Sequence, residues 1–347
     1  MAIETSPKIS IEQVAERSAR VVQEVEKAVV GKREVLNLMM AAFLSSGGHI
    51  LLEDYPGLAK TLIANSFAKA LGMEFKRIQF TPDLLPGDIT GGYVFDSEHN
   101  SFQLRKGPIF ANLLLADEIN RASPKTQSAL LEAMQEYQVT LEGETLALPQ
   151  PFIVIATQNP IEYEGTFPLP EAQLDRFIVK LSIGYPTPEE EDEILRRRAE
   201  RKQDIVELQA ILSPDIFLAM RNAVEDVYVD PDVRRYMVDL AAKSRSQSQV
   251  AVGASPRGSL ALLKLTRAWA AIQGRAYVVP DDVKRFFQPA LAHRIILDPS
   301  LWDTKRSEDT VLAEITHAVP VPVLTEYRTN DEHAVKSGKA SDKREYD

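Results

Sequence analysis

Three short apolar runs in the first half of the chain each end in polar residues, and this arrangement most constrains the fold. The runs are residues 49–53, Ala111 to Ala116 and Phe152 to Ala156. Runs of this length and composition are typical of strands buried on both faces of a parallel sheet. Because ligands bind at the carboxyl ends of such strands, the polar residues that follow each run are candidate site residues.

A loop and an amphipathic helix follow the first run. In the phosphate-binding pattern G-x-x-x-x-G-K-[ST], backbone N–H groups at a helix N-terminus bind phosphate, the Lys pairs with the β and γ groups, and the hydroxyl ligates Mg²⁺. Lys60 and Thr61 fit this pattern, but Asp54 and Ala59 occupy its glycine positions, and Gly57 lies inside the loop. Taken alone, this degenerate match does not establish a nucleotide site.

Carboxylate and amide side chains follow the other two runs. Asp117 could hold Mg²⁺ and Glu118 could polarise the water that attacks a γ-phosphate. Asn159 could orient that water, although a turn at Asn-Pro explains this residue nearly as well. Arg176 and Arg257 are candidates to stabilise transition-state charge, although a lone arginine is ordinarily a surface residue.

Composition excludes several classes of protein. The chain has no Cys, which excludes a disulfide framework, thiolate catalysis and Cys-based metal sites. Its net charge of −10 argues against a surface built to bind nucleic acid or an anionic membrane. We see neither a signal peptide nor an apolar run long enough to span a membrane, and we therefore expect a cytoplasmic protein.

The pattern of alternating strands and helices changes to helices alone near Pro186. We therefore predict an α/β domain with an N-terminal helix at residues 1–186 and an all-helical domain at 187–327. Half of the residues in 328–347 are charged, which predicts a disordered tail.

Capping signals and periodicity place the other elements. Hairpins are predicted at residues 93–104 and 137–148. The first helix is predicted to begin after Ser10 and to end at Gly31. Further helices are predicted at residues 34–45, 60–71, 124–136, 188–198, 214–227, 231–246, 255–273 and 280–292.

The order of these motifs resembles the AAA+ ATPases, and specifically their MoxR family. The resemblance is carried by residues 54–61, 113–118, 157–160, 171–177 and 255–258, and is supported by residues 80–88, 102–110 and 120–127. It covers roughly residues 8–300. It implies an α/β fold of the ASCE-type P-loop NTPases, an αβα sandwich with a parallel sheet, followed by an all-α lid domain.

The resemblance also implies roles for individual residues. Glu118 and Asp117 would form the Walker B pair and Asn159 would be sensor 1, while Arg176 would act in trans as an arginine finger. Arg257 would be sensor 2, in contact with the γ-phosphate of its own chain. Mg²⁺ would be bound by Thr61 and Asp117. The residues implied to bind ATP are Val30, Gly31, Asp54, Tyr55, Pro56, Gly57, Leu58, Ala59, Lys60, Thr61, Leu62 and Asp117.

The function implied by this resemblance is Mg-ATP hydrolysis in a homo-oligomeric ring, expected to be a hexamer, coupled to remodelling of a client protein. A partner with a von Willebrand factor A domain is also implied. Two alternatives stay open. A nucleic-acid-remodelling motor is disfavoured by the net charge, and a weakly hydrolysing nucleotide switch or scaffold is suggested by the two missing glycines.

Overall fold

A computed structural model describes residues 8–160, 165–299 and 307–323. Its strands are β1 (Ile50–Glu53), β2 (Phe75–Gln79), β3 (Gly91–Asp96), β4 (Ser101–Lys106), β5 (Leu113–Asp117), β6 (Gln138–Leu141), β7 (Glu144–Ala147), β8 (Ile153–Gln158), β9 (Val179–Leu181), β10 (Val250–Val252) and β11 (Ile296–Leu297). The central sheet has five parallel strands in the order β2–β5–β8–β1–β9. This confirms the predicted parallel sheet and its three apolar strands.

The helices of the described residues cover both faces of this sheet and form the lid. They are α1 (Ile11–Glu26), α2 (Arg33–Leu44), α3 (Lys60–Ala70), α4 (Pro86–Thr90), α5 (Pro124–Glu136), α6 (Glu171–Leu174), α7 (Pro188–Arg201), α8 (Pro214–Glu225), α9 (Pro231–Ser246), α10 (Pro256–Ile272), α11 (Pro280–Leu291) and α12 (Glu308–Ala318). Side-chain caps begin several of them, as at Ser10, Ser123 and Thr187. For most of the predicted helices, the observed ends lie within a few residues of the predicted ends.

Some sequence-based predictions were wrong in detail. The first helix ends at Glu26 rather than at Gly31, which lies beyond it with a φ of 74°. The helical region also contains a small antiparallel pair, β10 with β11, whose short strands carry too weak a pattern to detect. The sequence analysis also missed β2, because Lys76 and Arg77 interrupt its apolar pattern. The predicted tail at 328–347 lies outside the described residues.

Two hairpins project from the sheet domain, as predicted. Strand β3 pairs with β4 and strand β6 pairs with β7, both in antiparallel register. The hydroxyl of Tyr93 hydrogen-bonds to the carboxylate of Glu144, which ties the two hairpins together.

The two faces of the sheet belong to two different apolar clusters. Along β5, Leu113 and Leu115 pack into a cluster with α1, α2, α3 and the lid helices, whereas Leu114 and Ala116 face a second cluster beneath α5. The first cluster is continuous between the sheet domain and the lid, because Val14 of α1 and Leu265 of α10 both belong to it. Burial of this shared apolar surface fixes the lid against α1 and α2. None of the described helices is long and apolar enough to cross a membrane.

His49 stands at the amino end of β1 and connects two elements through a buried imidazole. Its Nδ1 accepts a hydrogen bond from the Val154 N–H at 3.0 Å, so the proton sits on Nε2, which donates to the Met134 carbonyl at 3.1 Å. Burial, the largest cause, lowers the pKa of His49 to about 4. The folded protein therefore requires the neutral ring.

We expect His49 to make stability fall with acidity. The unfolded chain, with a His pKa near 6.5, binds this proton more readily than the folded chain between pH 6.5 and pH 4. Stabilisation that is complete above pH 6.5 is therefore lost as the pH falls, by about 3 kcal/mol in all for this group. Glutamine is a neutral side chain that can both donate and accept, so His49→Gln is the comparison. Urea unfolding of the wild type and of this variant measures the slope of the free energy of unfolding against pH. Equal slopes for the two proteins would refute the assignment.

Candidate functional site

The loop between β1 and α3 provides a phosphate cradle. α3 begins at Lys60, and its N-cap residue Ala59 makes no side-chain capping bond to the N–H groups of the first turn. A Cβ placed on Gly57, whose φ is 83°, would meet no atom within 4 Å. The Lys60 ammonium donates to the Asp54 carbonyl at 2.7 Å and so lies across the loop. Backbone donors, open space and an adjacent cation are the features that fit a nucleotide phosphate.

Ala59 adopts a left-handed backbone conformation, with φ of 56° and ψ of 18°. A residue with a Cβ pays roughly 1–2 kcal/mol for this conformation, which glycine adopts freely. The loop therefore keeps the shape that the glycine pattern requires, although Ala59 replaces the glycine. Such local strain is typical of functional sites.

Asp54, the other departure from the pattern, turns its side chain away from the cradle. Its buried carboxylate accepts hydrogen bonds from the Ser182 hydroxyl at 2.7 Å and from the N–H groups of Ile183 at 2.6 Å and Gly184 at 3.2 Å. The Asp54 side chain is therefore engaged by the protein itself, and its implied place in the nucleotide site stays a prediction. The residue instead fixes the start of the phosphate loop to the segment after β9.

Val30 and Gly31, which the family resemblance implies to contact adenine, lie next to this loop. The Lys32 ammonium, adjacent to Gly31, donates to the Tyr185 carbonyl at 2.9 Å, and the Tyr185 ring lies 5.9 Å from the Tyr55 ring of the loop. Gly31 has a φ of 74°, a conformation that favours glycine, and a Cβ there would also displace the flexible Glu190 carboxylate, 1.9 Å away. Val30 is half-buried, whereas Leu62 on the first turn of α3 is exposed. Tyr185 is a further candidate base contact that the sequence analysis missed.

The two predicted carboxylates stand at the end of β5, next to β8. The Thr157 hydroxyl donates to Asp117 Oδ1 at 2.6 Å and accepts from the Glu118 N–H at 2.8 Å. Glu118 has a left-handed φ of 56°, which is unusual for a residue with a side chain. Asn159 is buried one residue beyond the end of β8, so the structure brings all three strand ends together as predicted.

Side chains from β2 complete this cluster. Arg77 donates to Asp117 Oδ2 through Nη2 at 2.7 Å and through Nε at 3.1 Å. Gln79 Nε2 donates to Glu118 Oε2 at 2.6 Å, and Arg121 Nη1 donates to the same oxygen at 2.8 Å. The register, in which Gln79 lies opposite Asp117, places these groups beside the carboxylates. In the sequence, the alternation of Arg77 and Gln79 in β2 is the signal that could have identified these two residues. It can be interpreted only once β2 is known to pair with β5.

The two predicted arginines meet at the opposite edge of the sheet. Arg176 and Arg257 line an open cavity of about 300 Å³ together with Lys264 and Arg294. The cavity also includes Gly47 and His49, which precede β1, whereas the phosphate loop follows β1. Four residues of strand separate the two places by about 13 Å. The structure therefore does not bring Arg257 to the phosphate loop of its own chain, which corrects the expected role in cis.

The electrostatics of this cavity favour an anion. Burial, together with the nearby charge of Arg257, lowers the pKa of Arg176 from its ordinary value, although the guanidinium stays protonated at neutral pH. Its Nε is buried and meets no hydrogen-bond partner among the residues that the structure describes. The Lys264 ammonium donates to the Ser46 carbonyl at 3.0 Å. Cations gathered in one cavity with a donor left unsatisfied are suited to bind phosphate.

Comparisons with known proteins were made for the whole chain. Residues 49–179 match the family described as ATPase family associated with various cellular activities (AAA), and residues 242–315 match the AAA lid domain. The chain is 46% identical to the uncharacterized protein YeaC of Bacillus subtilis (strain 168), over 88% of this chain and 94% of that protein. It is 42% identical to chaperone MoxR1 of Mycobacterium tuberculosis, over 87% of this chain and 82% of that protein.

A solved structure has the same architecture. The crystal structure of a putative ATPase from Cytophaga hutchinsonii superposes with a TM-score of 0.84 at 39% sequence identity, and the match covers 90% of this chain and 97% of that chain. Together with the family matches, this similarity supports a P-loop core followed by a helical lid.

We expect that restoring the glycine of the phosphate-loop pattern will harm the protein. Asp54→Gly removes three hydrogen bonds to a buried carboxylate and should lower the free energy of unfolding by about 2–3 kcal/mol, without tightening nucleotide binding. Chemical denaturation and titration with a fluorescent ATP analogue measure the two effects. Asp54→Asn, which keeps one acceptor oxygen, should be less destabilised. A glycine variant as stable as the wild type, with higher nucleotide affinity, would contradict this role.

Proposed function

The chain belongs to the MoxR family of AAA+ ATPases, and from this premise we propose that it hydrolyses Mg-ATP at a site shared by two neighbouring copies. The observation that carries the proposal is the separation of the two halves of the site within one chain. The phosphate loop and the carboxylates lie at the carboxyl edge of the sheet, and the cationic cavity lies at its amino edge. A neighbouring copy is the simplest source of the missing half.

Each residue of the proposed site has a task in phosphoryl transfer. The N–H groups of the loop and Lys60 bind the phosphates, and Glu118 orients the attacking water and accepts its proton with the help of Asn159. Thr61 and Asp117 would hold Mg²⁺, which neutralises charge on the phosphate oxygens. Arg176 and Arg257 of the adjacent copy stabilise the charge of the transition state, so we propose that both act in trans.

Neighbouring side chains already hold the carboxylates of Asp117 and Glu118. This supports a site whose hydrogen bonds rearrange when its ligands bind. Glu118 is engaged by Gln79 and Arg121, and Asp117 is engaged by Arg77. Because the Arg77 guanidinium holds Asp117 Oδ2, a metal ion bound at that oxygen would exchange places with it, whereas a carboxylate oxygen can accept a hydrogen bond from water beside its present partner. We propose that closure of the shared site drives this exchange.

We further propose that the copies form a hexameric ring that remodels a client protein, in association with a partner carrying a von Willebrand factor A domain. The support is the family resemblance together with the β3–β4 hairpin, where Phe95 and Phe102 are about half and two-thirds exposed. Their rings contact each other at 5.4 Å between centroids. Exposed aromatic side chains on a hairpin are suited to grip unfolded segments of a client.

Turnover per subunit should rise with protein concentration, because the site requires two copies. Glu118→Gln and Arg176→Ala should each lower turnover on the order of 100-fold or more. A steady-state phosphate-release assay over a wide range of concentrations measures both effects. Arg235→Ala is the matched control, because Arg235 forms only an exposed ion pair with Asp239.

Two outcomes would contradict this proposal, and each would point to a different conclusion. A turnover per subunit that is independent of concentration and survives Arg176→Ala would refute the shared site. ATP binding without turnover at every concentration would favour the nucleotide switch.

The exposed hairpin yields a separate prediction. Replacing Phe95 and Phe102 by Ser should weaken binding of fluorescein-labelled casein, an unfolded protein probe, at least tenfold, because the apolar contact surface is lost. Basal ATP turnover should change less than twofold. Fluorescence anisotropy measures the binding, and unchanged casein affinity would argue against the hairpin as the client contact.

A further inference from the structure

Arg294, just beyond the end of α11, is a buried guanidinium that contacts the segment carrying Arg176. Only 4% of its side chain is exposed. Its Nε donates to Asp175 Oδ1 at 2.7 Å, and its Nη2 donates to the Phe177 carbonyl at 2.7 Å and to the Asp175 carbonyl at 3.3 Å. Nη1 donates to the Ile178 carbonyl at 3.3 Å and to the Ala290 carbonyl. The planar guanidinium therefore holds the backbone on both sides of Arg176.

His293 adds a second link from the lid to the same segment. Its Nε2 lies 2.9 Å from the Phe177 carbonyl, so Nε2 carries the proton and donates. Burial, and then the charge of Arg294, keep the pKa of His293 well below its ordinary value. The ring is therefore neutral at physiological pH, and this donor is permanent.

The Asp175 carboxylate also contacts the lid helix that carries Arg257. While Oδ1 accepts from Arg294, Oδ2 accepts from the Ser255 hydroxyl at 3.2 Å and lies 3.9 Å from Arg257 Nη1. Ser255 is the N-cap of α10, and Arg257 lies in the first turn of that helix. One carboxylate thus connects the end of the lid, the start of α10 and the residue that precedes Arg176.

Charge makes this connection more than a packing contact. Burial, and then the nearby charge of Arg257, lower the pKa of Arg176, so the two guanidinium groups repel each other. The Asp175 carboxylate faces both Arg257 and Arg294. Glu132 and Glu136 favour the charged form of Arg176 from the other side. Removing the charge of Asp175 would leave Arg294 buried without a counter-ion and would release the two cavity arginines from their common position.

We propose that Asp175 and Arg294 are positioning residues that hold Arg176 and Arg257 in one arrangement, aimed at the nucleotide of the neighbouring copy. The inference rests on the proposed shared site and deepens it. Because Arg294 and Ser255 belong to the lid, a movement of the lid is transmitted through Asp175 to both arginines at once. The lid of one subunit thereby controls hydrolysis in the next subunit.

Kinetics of single variants give the first test. Asp175→Asn, which keeps the shape of the side chain and removes its charge, should lower kcat on the order of 100-fold, because small displacements of catalytic groups are costly. The affinity of its own phosphate loop for a fluorescent ATP analogue should stay within about threefold of wild type. Arg294→Lys, which keeps a cation but loses the planar fork, should be less impaired than Arg294→Gln.

Mixing two inactive variants separates positioning from a structural defect. A site formed by the phosphate loop of Asp175→Asn and the cavity of Glu118→Gln contains no altered residue. Mixed oligomers, prepared by combining dilute subunits and then concentrating them, should therefore regain a substantial fraction of wild-type turnover. A mixture of Asp175→Asn with Arg176→Ala should not, because both changes affect the same half of the site.

The matched control is the Arg275–Asp282 ion pair, which is also in the lid and is similarly buried, with a distance of 2.7 Å. Asp282→Asn should lower the melting temperature without lowering kcat at temperatures where the variant is folded. If Asp175→Asn does not fold, Arg294→Lys takes its place in the mixing experiment.

The mixing experiment distinguishes failure of the proposed shared site from failure of the positioning role. If Arg176→Ala mixed with Glu118→Gln regains no activity, the shared site itself is wrong. If that mixture regains activity but Asp175→Asn turns over like wild type, or is not rescued by Glu118→Gln, the positioning role is overturned.

Discussion

Parallel pairing of β1 with β8 on one side and with β9 on the other is the constraint on which the rest of the structure depends. Because the strands share one direction, the phosphate loop, the two carboxylates and Asn159 all emerge at one edge of the sheet. For the same reason, the segment that precedes β9, with Asp175 and Arg176, lies at the other edge. Strand direction thus separates the two groups of residues that make up the proposed site within one chain.

The position of the lid follows from apolar burial. Helices α1 and α2 share one continuous cluster with α8, α10 and α11, and this cluster covers the face of the sheet that includes Leu113 and Leu115. A lid packed in this way presents the first turn of α10 to the amino edge of the sheet. Arg257 therefore joins Arg176, and the Asp175 carboxylate between the two domains couples them.

Local strain and polar contacts shape the catalytic edge. Ala59 and Glu118 both have left-handed backbone conformations, each with a φ of 56°. Neighbouring contacts hold them, because the Asp54 carboxylate fixes the start of the loop and Thr157 holds the Glu118 N–H. Departures from the glycine pattern at positions 54 and 59 therefore preserve the cradle. This explains why the two missing glycines are a weak argument for a switch that does not hydrolyse.

Local sequence determined the parts of this protein that depend on short-range chemistry. The apolar strands, the capped helices, the two hairpins and the residues that end β1, β5 and β8 could be predicted, because periodicity, capping and strand length act within a few residues. The phosphate-loop pattern and the strand ends predicted roles for Lys60, Asp117 and Glu118, and the family resemblance added the role of Arg176 in trans. Strand β2 was missed because its charged side chains hide its apolar pattern.

Tertiary structure alone decided how distant segments meet. Residues separated by more than 100 positions, such as Asp175 and Arg294 or Asp54 and Ile183, form buried polar contacts that carry no local signal. The family resemblance implied that Arg257 contacts the γ-phosphate of its own chain, but packing of the lid against α1 and α2 places it at the opposite edge of the sheet. A motif determines which chemistry a side chain can perform, whereas burial of apolar surface between distant elements determines where the side chain performs it.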